Sequence, residues 1–163
     1  MRHQIRRILV VLGLFSASTA HSASVDQIIV NIKSNYQIVD QNVKQGMLDV
    51  KQRSFRYCAG AIDQRRSLWM DEKGFPRKYV EQGGSDDSVA TISYYLSNKG
   101  KIQFVIVELG RVSGSQESLR VYYDDSGRVV KFIDTPSMSI SSLWSFIHLD
   151  VRQAFLASYS CDR

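Results

Sequence analysis

Apolar positions follow one period at the start of the chain, another in its middle and the first again near its end. Val25, Ile28, Ile29, Ile32, Tyr36, Val39 and Val43 recur at steps of three and four, which places them on one face of a helix. Asp26, Lys33, Asn35, Asp40 and Lys44 lie off that stripe. Ser24 and Gln27 have capping-box spacing, and Gly46 suits a left-handed helix stop. A helix is therefore predicted between Ser24 and Gly46.

From Met47 to about Ile133 the helical period is lost and turn signals multiply. Three segments align on a glycine: WMDEKGFPRKYV (Trp69 to Val80), YLSNKGKIQFVI (Tyr95 to Ile106) and YYDDSGRVVKFI (Tyr122 to Ile133). Each has an aromatic residue five places before Gly74, Gly100 or Gly127, then a polar turn, then a strand-like run. Asp, Asn or Ser opens such a turn, and glycine takes the positive backbone angle that closes it. These hairpins, with a strand near Val50 to Tyr57, predict about seven antiparallel strands in sequence order. Phe104 to Leu109 is almost continuously apolar and predicts a central strand buried on both faces. Pro76 belongs at an edge or at the start of its strand, because proline cannot donate to a ladder.

After Pro136 a second helical stripe runs through Ile140, Leu143, Trp144, Ile147, Val151, Ala154 and Phe155, and it predicts a helix from about Ser141 to Ser158. The expected fold is α+β: an antiparallel meander of about seven strands, with the N-terminal and C-terminal helices packed on one face of the sheet. Residues 24–163 form the single expected domain.

The first 20 residues read as a secretory signal. Arg2, Arg6 and Arg7 precede an apolar core from Ile8 to Phe15, and small residues follow it, with cleavage after Ala20 or Ala23. The apolar run is about half the ~20 residues that span a bilayer, so no stable membrane anchor is expected. A periplasmic or secreted location follows. The charge then changes meaning. Cutting after Ala20 lowers the 21 basic residues to 18 against 16 acidic ones, a net +2 instead of +5, and a nucleic-acid partner loses its motivation. In an oxidising compartment the two cysteines, Cys58 and Cys161, read as one disulfide.

The capped helix, then YYLSNKGKIQFVIVE (Tyr94 to Glu108), then RVYYDDSGRVVKFID (Arg120 to Asp134), resembles a class of uncharacterised bacterial secreted proteins. In these an N-terminal helix precedes repeated hairpins of the form tyrosine-tyrosine-x-acidic-x-x-glycine-lysine. Similar hairpins occur in YD-repeat and MORN-like proteins. The unit from Trp69 to Val80 departs from the pattern at Trp69-Met70 and Pro76. The resemblance implies a fold and an export route, and it brings no catalytic residue.

Catalytic chemistry finds little material. Beyond the leader the histidines are His21 and His148, so any Ser-His-Asp or Cys-His arrangement would use His148. Its place beside the last apolar stripe reads as a structural histidine, packed or hydrogen-bonded. No nucleophile elbow, phosphate loop or paired-histidine zinc motif is present, and no cofactor or metal is expected. Glu81 and Glu108 are the carboxylates that would have to face one another in a glycosidase-like pair.

Large aromatics remain as the main signal. Trp69, Tyr95 and Tyr122 share one hairpin position and one sheet face, while Met70, Leu96 and Tyr123 point to the other. With both helices on one face, the Trp69–Tyr95–Tyr122 stripe is either a set of stiffening cross-strand pairs or a partner-facing surface. Arg53, Arg56, Arg65 and Arg66 are the basic residues expected beside it, biasing it towards an acidic partner. The function these readings predict is an exported, non-catalytic binding module for a protein or cell-envelope component, a class that includes inhibitor and immunity roles. The alternative is a small-ligand carrier or weak hydrolase with a pocket between sheet and helices.

Overall fold

A computed structural model of the chain describes residues 24–55, 62–135 and 146–158. Helix α1 spans Val25–Lys44, where the apolar stripe predicts it. The Ser24 hydroxyl accepts the Gln27 N–H at 3.3 Å, and Gly46 leaves the helix at φ 69°. Asp26 in the first turn and Lys44 in the last complement the helix dipole.

Seven strands follow: β1 (Asp49–Phe55), β2 (Ile62–Met70), β3 (Pro76–Ser85), β4 (Ser88–Leu96), β5 (Ile102–Arg111), β6 (Gln116–Tyr123) and β7 (Val129–Asp134). They form one antiparallel sheet in the order β1-β2-β3-β4-β5-β6-β7. Pro76 opens β3, so its missing N–H breaks no interior ladder bond.

The turns β2–β3, β4–β5 and β6–β7 repeat one construction. Asp71, Ser97 and Asp124 open them, and each accepts two backbone N–H groups through its side chain, two and four residues on. Gly74, Gly100 and Gly127 close them at φ 76°, 75° and 84°, a region costly for residues with a Cβ. A register shift follows each turn, at Trp69/Met70, Tyr95/Leu96 and Tyr122/Tyr123. Such a bulge lets two successive residues share a face. Arg77 and Gln103, each next to the residue that faces Trp69 or Tyr95 respectively, thus both reach Asn35 of α1.

A short helix, α2 (Val151–Leu156), lies near the C-terminus and is capped by Asp150. The predicted helix from Ser141 is shorter among the described residues, because Leu149 and Asp150 interrupt it after a turn at Phe146–Ile147. Residues 136–145 lie outside the described part.

The placement of the helices corrects the expectation that both cover one face. α1 packs on Tyr95, Phe104 and Tyr122 with Ile29, Ile32 and Val39. Val151 and Phe155 of α2 join Leu68, Met70, Tyr79, Tyr94, Leu96, Val105, Val121 and Tyr123. Neighbours on a strand point to opposite faces, so Tyr94 and Tyr95, or Tyr122 and Tyr123, serve separate cores. The sheet carries large apolar groups on both faces because it has a helix on each.

Candidate functional site

Cross-strand register arranges the α1 side of the sheet in rows. One row reads Val50, Trp69, Lys78, Tyr95, Phe104, Tyr122, Lys131, and α1 lies across it. Tyr95 and Tyr122 are each 3% exposed. The Tyr95 hydroxyl donates to Asp40 Oδ1 at 3.0 Å, and Lys78 Nζ donates to the same oxygen at 2.7 Å. That ammonium also sits 4.7 Å from the Tyr95 ring centroid and 5.7 Å from that of Trp69. Burial, then the charge of Asp40 and the hydrogen bond to it, push the Tyr95 hydroxyl up from its ordinary value. Burial likewise raises that of Tyr122. The stripe expected to face solvent is therefore the seat of α1, and only Trp69 stays half-buried at its edge.

Arg53 is also engaged inward. It donates to the carbonyls of Phe155 and Leu156, while Arg66 donates to those of Ala154 and Ala157. Both guanidiniums lie over the Phe55 ring at 4.8 and 4.9 Å. Arg66 is 3% exposed and sits 3.7 Å from Glu81, which accepts the Tyr79 hydroxyl. These arginines satisfy the carbonyl end of α2, groups a helix cannot pair internally. Arg56, Cys58 and Cys161 lie outside the described residues. Glu81 faces the α2 side and Glu108, across from Thr91, the α1 side, so the sheet separates the two carboxylates.

Two open clefts flank the β6–β7 turn. One, about 490 Å³, lies between that turn and Ile147–Leu149. The other, about 410 Å³, lies against Ile28, Asn31 and Ile32. His148 lines the first and is exposed, not packed as the helical stripe predicts, because the helix breaks beside it. Asp124 and Ser126 are close by, but their chemistry is spent locally. Ser126 Oγ donates to Asp124 Oδ1 at 2.6 Å, and Arg128 Nε donates to Asp124 Oδ2 at 2.9 Å. Burial works to raise the Asp124 carboxyl, but bonds from Ser126 and Arg128 outweigh it and hold the group at about 2. A carboxylate so acidic is a poor proton acceptor near neutral pH. Among the described residues no three metal-ligating side chains converge.

The open surface lies on the α1 side, beyond that helix. Three further rows run across the sheet: Gln52, Ser67, Val80, Ser93, Ile106, Arg120, Ile133; then Ser54, Arg65, Gln82, Thr91, Glu108, Ser118; then Gly84, Val89, Gly110, Gln116. Serine and threonine recur there among larger polar, charged and aliphatic side chains. Arg65, Glu108 and Arg120 are exposed, and a cleft of about 540 Å³ runs over Thr91, Glu108, Gly110, Ser118 and Arg120. Sequence reasoning missed these rows because period two assigns a face and does not say how much of it a helix covers.

No family model, curated protein or solved structure matches the chain. Among the described residues no helix is long and apolar enough to cross a membrane.

Proposed function

We propose that the protein is an exported, non-catalytic binding module that recognises another protein or a cell-envelope component through the open rows on the α1 side of the sheet. The observation that supports this reading is that α1 packs over Tyr95, Phe104 and Tyr122 and against Ile106, and leaves the face around Thr91, Glu108, Ser118 and Arg120 accessible. The serine, threonine and charged groups of this face suit the polar part of an interface. The alternative of a carrier or hydrolase would draw on the clefts beside Asp124. Those clefts are open, and the serine, carboxylate and guanidinium there already satisfy one another.

The test is capture of a partner from envelope extracts by the mature chain, followed by a Ser93→Arg, Ser118→Arg double variant. Two added guanidiniums on the open rows should weaken capture at least tenfold, roughly 1.4 kcal/mol, while the melting curve stays in place. Undiminished capture by the folded variant removes this face from the function.

A further inference from the structure

Among the described residues, strand β7 is outermost in the sheet and pairs only with β6. The Thr135 N–H donates to the Ser118 carbonyl at 3.0 Å, which sets the phase of that ladder. In an antiparallel pair, residues whose backbone groups face the neighbour alternate with residues whose groups face away. Arg120–Ile133 and Tyr122–Lys131 therefore turn toward each other, whereas the N–H and C=O of Phe132 point away from the sheet. No described residue bonds those groups. Phe132 is 46% and Ile133 44% exposed, on opposite faces. The edge contains no proline, and its charged side chains are Lys131 and Asp134. The other edge, β1, alternates Asp49, Lys51 and Arg53 along one of its faces, a pattern that discourages strand addition.

We propose that β7 pairs with β7 of a second copy of this chain, antiparallel about a two-fold axis at Phe132, so that two sheets become one. The outward groups of Phe132 and Asp134 allow an axis at Phe132 or at Ile133, and the Phe132 register is chosen because it brings the two exposed Phe132 rings together. Phe132 exchanges two hydrogen bonds with the partner's Phe132, and the two rings meet on the α2 side. Lys131 then lies across from the partner's Ile133. No like charges oppose one another, and each exposed apolar side chain gains a neighbour. The surface is self-complementary, as a two-fold dimer requires.

The axis is perpendicular to the sheet, so both open faces lie on the same side of the dimer. A short edge predicts reversible association. The pairing rests on β7 alone and does not depend on the proposed binding role.

Sedimentation velocity of the mature chain over a concentration series tests this. A monomer–dimer equilibrium is expected. Phe132→Lys places two ammonium groups across the axis and should weaken self-association by tenfold or more, leaving the melting midpoint unchanged. Phe132→Thr keeps strand propensity and should also weaken the dimer, which guards against a Lys variant that folds poorly. A wild type monomeric throughout the series, or a dimer that both variants retain, overturns the proposal.

Discussion

Asp124 shows how one carboxylate organises a turn. It takes the Ser126 and Arg128 N–H groups on Oδ1 and the Arg128 guanidinium on Oδ2. The guanidinium is 80% exposed, so the ion pair itself adds little, and the Ser126 hydroxyl, first, with the two backbone N–H groups carries most of the effect. The folded carboxyl titrates at about 2, below its ordinary 3.8. Its contribution is complete above the unfolded value and is lost as pH falls through the folded one. Urea unfolding of the wild type should therefore show stability declining between about pH 4 and about pH 2, and Asp124→Asn should flatten that slope. Equal slopes would mean that the carboxylate is not what the turn depends on. The Asp-x-x-Gly spacing made the turn legible in the sequence. The grip of Arg128 was not, since a residue four places on can point either way along an exposed strand.

At the level of elements, the repeated hairpins differ in what surrounds them, and glycine substitution should reveal it. Gly100 sits at φ +75° with nothing within 4 Å of a built Cβ, so Gly100→Ala meets only the left-handed backbone penalty, roughly 1–2 kcal/mol. Gly127, at φ +84°, would place its Cβ 3.2 Å from Ile147 Cγ1. Gly127→Ala should cost more than Gly100→Ala in thermal or urea unfolding, because it also strains the segment leading to α2. A smaller loss at Gly127 would contradict the packing of Ile147 on that turn. The Gly74, Gly100 and Gly127 alignment marks all three turns in the sequence, since a positive φ leaves a residue-type signature. The bulges after them left none, and they are what bring Arg77 and Gln103 to Asn35.

For the whole molecule, the described flanks of the two cysteines converge. Arg53, five residues before Cys58, bonds the carbonyls of Phe155 and Leu156, and Arg66 bonds that of Ala157. On this basis the protein should contain no free thiol, and Cys58→Ser should destabilise it by up to about 4–5 kcal/mol in the chain-entropy limit. Alkylation of both cysteines in denaturant without reductant would show the link to be absent. The sequence by itself determined α1 and its caps, the meander and its three glycine turns, because periodicity and backbone sterics act over a few neighbouring residues. It also showed aromatic residues on both faces of the sheet. Only the tertiary structure decided that α1 and α2 lie on opposite faces, that Tyr95 and Tyr122 are core, and that Arg53 caps a helix. Those outcomes depend on which surface a distant segment covers, and a sheet with two apolar faces offers either one.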